Sequence, residues 1–196
     1  GMKSQVTTKK GDDGTTQTLG GDRLPKSHVI VACTGCVDEA RAQTALLRLR
    51  YLESAAADPE GVGDFLWWLL HTYFVIGAAC SDPTNQKPDW HVCPFGPEFI
   101  NRVETFQRRL ESTVQLPNKF IASASTVLAA ETDVLTTTVR RLERSIVALK
   151  NHEPAFEAAA IIVFVNRLSD TLYMLARYID NGTFHTVDYG ILQPDS

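Results

Sequence analysis

Two stretches of this sequence concentrate the side chains that chemistry on a charged ligand would use. The first, TKKGDDGTT from Thr8 to Thr16, sets Gly11 and Gly14 among lysines, aspartates and threonines. Glycine lets a backbone approach a ligand closely and present its N–H groups. With the hydroxyls of Thr15 and Thr16, this is the raw material of a polyphosphate cradle. It is not a Walker motif, because no Gly-Lys-Ser/Thr opens a helix here, and a plain turn is the blander reading. Gly20, Gly21, Arg23 and Lys26 follow, adding flexibility and charge of the sign that phosphates require.

The second stretch is RRLER, where Arg140, Arg141, Glu143 and Arg144 fall off an apolar seam and Arg140 shares a helix face with Arg144 one turn on. A solvated charged face is the alternative. Further along, Asn166, Asp170, Tyr173 and Arg177 form a polar stripe suited either to hydrogen-bonding a base or ribose or to a subunit contact. Cys33 and Cys36, with Cys93 near His91, could be drawn as a zinc set, but only one spaced pair exists. No metal site is therefore expected, and the cysteines read as small apolar residues on packed helices.

The elements that position these groups are helical. The chain has 196 residues, 44% of them hydrophobic and 21% charged, enough for one domain with its own core. A net charge of -4 argues against a broad nucleic-acid footprint. Residues 2–27 lack apolar periodicity and predict an extended loop. Helices are expected from about Val29 to Ser54, Gly63 to Cys80 and Pro97 to Glu111. A fourth carries the seam Leu135, Val139, Leu142, Ile146 and Leu149. A fifth carries Val165, Leu168, Leu172, Leu175 and Ile179, opened by Pro154 and closed by Asn181-Gly182. The second helix is apolar nearly all round, which predicts burial, with Trp67 and Trp68 in the core, while Trp90 sits in a proline-rich loop. Its stretch from Phe65 to Cys80 is interrupted by His71 and Thr72 and too short to span a bilayer. The polar start resembles neither a signal nor a transit peptide, so a cytoplasmic location is expected. Five helices in one antiparallel bundle, an all-α fold, is the simplest packing.

Taken in order, these motifs resemble the PduO-type ATP:cob(I)alamin adenosyltransferases. TKKGDDGTT with LGGDR and Lys26 is similar to that family's triphosphate-wrapping amino-terminal signature. TGCVDE at Thr34 to Glu39 resembles Tyr-Gly-Thr-Val-Asp-Glu, and YFVIGAACSDP at Tyr73 to Pro83 resembles Leu-Phe-x-Leu-Gly-x-x-Leu-Ala-x-Pro. RRLER resembles Arg-Arg-Ala-Glu-Arg, and VNRLSDTLYMLARY at Val165 to Tyr178 resembles Leu-Asn-Arg-Leu-Ser-Asp-x-Leu-Phe-x-Leu-Ala-Arg. The resemblance implies one domain: residues 1–27 as nucleotide-binding loop, 28–181 as bundle and 182–196 as tail. It implies a homotrimer with sites between subunits and Mg2+, ATP and cob(I)alamin as ligands. A corrinoid reductase or an adenosylcobalamin-dependent enzyme would be the partner, with no nucleic acid or membrane.

By the same resemblance Thr8, Gly11, Asp12, Gly14, Thr15, Thr16 and Lys26 would hold phosphates. Arg140 and Glu143 would meet the nucleotide with Asn166, Asp38 would join them at the subunit boundary, and Phe120 would press on the corrin face. Several positions depart from the pattern. The family's arginine one turn before Arg140 is Thr136, FIASAS replaces Phe-Ile-Leu-Pro-Gly-Gly, Leu70 replaces Gln, Lys10 a small residue, and Arg41 an Asn. One reading is that Arg41 and Lys10 restore the missing charge. The other is a non-catalytic homologue that binds corrinoid or nucleotide.

Overall fold

In the computed structural model, described over residues 4–195, the chain opens with a small hairpin of β1 (Thr15–Gln17) and β2 (Arg23–Pro25) in antiparallel register, Thr16 opposite Leu24. The extended amino-terminal loop is thus partly ordered as sheet, its turn closed by Thr18 N–H donating to the Asp22 carbonyl. Five helices follow: α1 (Val29–Glu53), α2 (Val62–Ser81), α3 (Pro97–Glu111), α4 (Val127–His152) and α5 (Ala159–Ile179). A second two-stranded ribbon pairs β3 (Ile121–Ser123) with β4 (His185–Thr186).

Helix starts follow local chemistry. His28 Nδ1 accepts from the Ile30 N–H at 3.1 Å ahead of α1, and Thr126 Oγ1 caps α4 through the Ala129 N–H at 3.3 Å. Pro97 opens α3 at a position where its missing N–H costs nothing. Pro154 does not open α5. It lies in the preceding turn, because Glu153 has left the helical region and the chain needs several residues to reverse before Ala159. At the far end Asn181 and Gly182 adopt φ of +50° and +78°, the left-handed stop that glycine and asparagine accept most readily.

The pairing α1 to α4 runs antiparallel in one constant register: Cys36 meets Ser145, Gln43 meets Thr138 and Arg50 meets Glu131. Helix α2 packs on the other flank of α1, where Thr44 Oγ1 lies 3.0 Å from the Tyr73 hydroxyl. Helix α3 runs alongside α5 in the same direction, Glu104 pairing with Arg167 and Gln107 with Thr171. Aromatic rings close the bundle: Phe65 of α2 stacks on Phe106 of α3 at 4.0 Å, and Trp68 and Phe164 join the cluster. Each such pair adds about 0.5–1.5 kcal/mol beyond the area it buries.

The α4 seam is fully buried throughout, as is the α5 seam from Val165 to Leu175. Two sequence expectations fail on α2. Trp68 is half-buried against the core, but Trp67 is 51% exposed, and Phe74 also faces outward at 68% exposed. A two-layer contact with α1 and α3 covers only part of the α2 circumference. At 20 residues α2 is also longer than expected, and with α5 it is long and apolar enough to cross a bilayer by length and composition. Here both helices instead contribute Phe65, Leu66, Leu69, Phe164 and Leu168 to the bundle core.

Arg177, read from the sequence as part of a polar stripe for a ligand or a subunit contact, is 1% exposed. Its guanidinium donates to Asp133 at 2.6 Å and lies 4.9 Å from the Tyr173 ring centroid, locking α5 to α4. Asp180 acts as a second clamp: its carboxylate accepts from Ser125 N–H (2.9 Å), Thr126 N–H (3.0 Å) and Thr126 Oγ1 (2.7 Å). The tail is therefore not a free appendage. Its β4 strand and the Val187 N–H bond to the Phe120 carbonyl fix the segment ahead of α4.

Candidate functional site

The amino-terminal loop is organised by its own side chains. Asp13 accepts from both the N–H and the hydroxyl of Thr15, at 3.0 and 2.6 Å, and those bonds hold its carboxyl below the usual carboxylate range. Arg23 reaches back to Asp13 at 3.7 Å and donates to the Lys10 carbonyl. Gly14 sits at φ +83°, and the Lys26 N–H donates to its carbonyl at 2.8 Å. A Cβ built on Gly11 would stand 3.1 Å from Lys26 Nζ, so the ammonium lies directly against the glycine. Gly11 and Lys26, fifteen positions apart, are thereby brought together, a cation beside an open backbone turn. Asp12, Thr16 and Thr8 lie on the same exposed or half-exposed segment.

The loop docks on the end of α2. Leu19 N–H donates to Ser81 Oγ at 2.8 Å, and a Cβ on Gly20 would come within 2.9 Å of Asp82 Oδ1, so any side chain there would displace the Asp82 carboxylate. Asp82 is 3% exposed and accepts from Gln86 N–H (2.8 Å), Lys87 N–H (2.9 Å) and His91 Nε2 (2.8 Å). Burial alone would raise its carboxyl, but His91 and the two backbone donors outweigh that and hold it low. Sequence reading missed this hub. The available signal was a Ser-Asp-Pro at a helix end, close to the Gly20-Gly21 pair only in space.

Beside the docked loop lies a cavity of about 360 Å3 lined by Leu19, Thr34, Asp38, Arg41, Phe74 and Trp90 among others. Arg41 Nη2 is 3.9 Å from Asp38 Oδ1, and its guanidinium carbon is 5.7 Å from the Phe74 ring centroid. Trp90, in the turn Pro88–Trp90, is 61% exposed over this cavity and over a smaller neighbouring one with His91, Val92 and Cys93.

The second group of expected residues lies elsewhere. Arg140 lines a groove with Gln107, Glu111, Asp170 and Tyr173, between α3, α4 and α5. The α4–α5 register set by Asp133 with Arg177, continued along the helices, brings exposed Asn166 level with Glu143 and Arg144. Arg144 lines a different groove from Arg140, with Glu39, Gln43, Thr137 and Arg141, where Arg141 pairs with Glu39. Thr136 is 3% exposed and its hydroxyl donates to the Thr132 carbonyl at 3.0 Å, so this position presents no donor to any ligand. Phe120 is 79% exposed at the edge of β3. Leu70 is half-buried on α2.

The expected residues thus fall in two regions of one chain, the amino-terminal loop with Asp38 on α1, and Arg140, Glu143 and Asn166 on α4 and α5. None of the cavities described above contains members of both. The cysteines join neither: buried Cys33 neighbours buried Cys80, and this contact with burial raises the Cys80 thiol well above its usual range, while Cys36 lies 3.2 Å from Ser145 Oγ. Among the described residues no cluster of three or more His, Cys, Asp or Glu could hold a metal ion.

Bundle and loop together define an all-α protein with a cation-backed glycine turn ahead of its first helix. The family model for cobalamin adenosyltransferases matches residues 6–179, and the chain belongs to that family, in its PduO-type form. It is 27% identical over 175 residues to the corrinoid adenosyltransferase of Mycobacterium tuberculosis, covering 89% of this chain and 88% of that protein. It is 29% identical over 174 residues to the corrinoid adenosyltransferase of Citrobacter freundii, covering 88% and 93%. A variant PduO-type ATP:corrinoid adenosyltransferase from Lactobacillus reuteri, complexed with cobalamin and ATP, superposes with a TM-score of 0.79 at 25% identity, over 94% of this chain and 96% of that one.

Proposed function

We propose that this protein is an ATP:corrinoid adenosyltransferase, moving the 5′-deoxyadenosyl group of ATP onto the cobalt of a cob(I)alamin-type corrinoid and releasing triphosphate. The observation that carries the reading is the likeness, over nearly the whole chain, to a structure that holds cobalamin and ATP together. The cobalt of the reduced substrate is the nucleophile. The protein's task is to align it with the 5′ carbon and to set cations on the leaving triphosphate, so little proton transfer is required of side chains.

Gly11, Asp12, Gly14, Thr15 and Thr16, with Thr8 at the loop's start, would receive the phosphates, and Lys26 supplies positive charge against Gly11. Mg2+ would arrive on the triphosphate and be held mainly by phosphate oxygens and water. Arg140, Glu143 and Asn166 would meet the nucleotide from a second subunit, and Asp38 would face that subunit. Phe120 would meet the corrin.

The separation of Asp38 on α1 from Arg140, Glu143 and Asn166 on α4 and α5 supports the reading of a site between subunits. Leu46 and Leu49 of α1 and Val127 and Val134 of α4 are exposed, apolar side chains suited to covering by another copy. Cyclic closure with three copies is the assembly we infer. Residues 1–27 would then be the nucleotide segment, 28–181 the bundle, and 182–196 a tail that braces Phe120. A cytoplasmic setting, with a corrinoid reductase or adenosylcobalamin-dependent enzyme as partner and no membrane or nucleic acid, accompanies this reading.

The test is anaerobic mixing of the protein with chemically reduced cobalamin, Mg2+ and ATP, following the spectrum for adenosylcobalamin, beside a Thr136→Arg variant. Turnover by the wild type supports the proposal. Silence in the wild type with ATP and corrinoid still bound contradicts it in favour of a binding homologue, the reading that buried Thr136 favours; rescue by Thr136→Arg would locate the loss.

A further inference from the structure

The cavity between α1 and α2 pairs Asp38 with a side chain, Arg41, that has no role in either the loop or the α4–α5 group. Asp38 and Arg41, one turn apart on α1, present a carboxylate and a guanidinium 3.9 Å from each other, too long for a tight ion pair. The acceptor and the donors therefore stand side by side at the cavity mouth. On the opposite wall are two exposed aromatic faces, Phe74 and Trp90, with the Arg41 guanidinium 5.7 Å from the Phe74 centroid.

The charge balance decides between two ligands. A triphosphate carries several negative charges, and at 3.9 Å the Asp38 carboxylate offsets the Arg41 charge, so this cavity lacks the net positive charge a triphosphate needs. That disfavours Arg41 as a replacement for the arginine missing at Thr136. A primary carboxamide is neutral and offers N–H donors and a carbonyl acceptor together, which a carboxylate beside a guanidinium satisfies at once. The aromatic walls add apolar contact for a large ring. A corrinoid has this chemistry: an extensive apolar macrocycle rimmed by carboxamide side chains. At about 360 Å3 the cavity takes an edge of such a ring rather than the whole.

We propose that Arg41, with Asp38, grips a peripheral carboxamide of the corrinoid while Trp90 covers the adjoining ring edge, making Arg41 and Trp90 specificity-determining residues for the corrinoid and not for ATP. The inference rests on the adenosyltransferase reading and deepens it. The loop that carries Trp90 is anchored for this purpose by His91 on Asp82, the same carboxylate that receives Gly20.

The experiment is titration of the wild type, Arg41→Ala and Trp90→Ala with cobinamide, which keeps the carboxamide rim but lacks the nucleotide tail, and separately with ATP, both by calorimetry. Circular dichroism checks that each variant keeps its helices. The expected result is cobinamide affinity weakened about tenfold or more in both variants with ATP affinity unchanged. Weakened ATP binding with cobinamide binding intact in Arg41→Ala would overturn it and restore Arg41 to the triphosphate. Unchanged affinity for both ligands would overturn it as well. Failure of the wild type itself to bind cobinamide would strike the adenosyltransferase reading, an outcome visible before any variant is compared.

Discussion

The amino-terminal loop and the α4–α5 face are built in opposite ways. The loop is exposed and holds its shape through its own short bonds, Asp13 to Thr15 and Lys26 to Gly14, and through one docking point at Ser81 and Asp82. The α4–α5 face is displayed on two helices locked by buried Arg177 and Asp180. The loop is held by local, exposed bonds, whereas the helical face offers side chains on two interlocked helices. The chain carries them on separate flanks, so on the proposed reading each would supply part of a site and chemistry would be a property of the assembly.

Breaking the assembly should have the largest effect. Replacing Leu46 and Leu49 together by Asp on the exposed α1 face should give a folded monomer without turnover, checked by sedimentation and the cobalamin spectrum. An active monomer would end the two-part account. Next, Arg177→Met leaves Asp133 without its partner inside the α4–α5 contact. A loss of about 3–5 kcal/mol is expected, seen as a melting point lower by about 10 °C, with tripolyphosphate binding by the loop retained at 25 °C. Lys26→Ala acts on the other region: ATP affinity should weaken about ten- to a hundredfold by calorimetry while the melting point holds.

The smallest effect concerns the docking point. Asp82 has its carboxyl depressed in the folded state, so its bonds contribute stability above the unfolded value near 3.9 and lose it as pH falls through the lower folded value. Asp82→Asn should therefore be less stable than wild type at neutral pH and converge with it below about pH 4, measured by urea titration across that range. A constant gap at all pH values would mean that charge plays no part in holding the loop.

Much of the bundle was legible in the sequence because burial writes itself as spacing. Leu135, Val139, Leu142, Ile146 and Leu149 recur at steps of three and four, and all are fully buried. Composition alone misplaced Trp67 and Phe74, since an apolar helix does not say which side its neighbours cover. Arg177 was misread for the complementary reason: a charged residue looks exposed until Asp133, far away in sequence, is seen to receive it. Loop residues Gly11 and Lys26 could be nominated from type, but their contact is a product of the hairpin. The Asp82 hub and the Asp180 clamp depend on side chain to backbone bonds that leave no periodic trace.

The most direct test of the two-part account mixes subunits. Lys26→Ala disables the loop and Arg140→Ala the helical face, so each variant alone should turn over poorly. If every site joins the loop of one subunit to the α4–α5 face of another, refolding the two variants together in equal amounts should restore about a quarter of wild-type activity, because random pairing leaves that share of sites intact on both sides. No recovery in mixed oligomers of confirmed composition would contradict the account and return the whole site to a single chain.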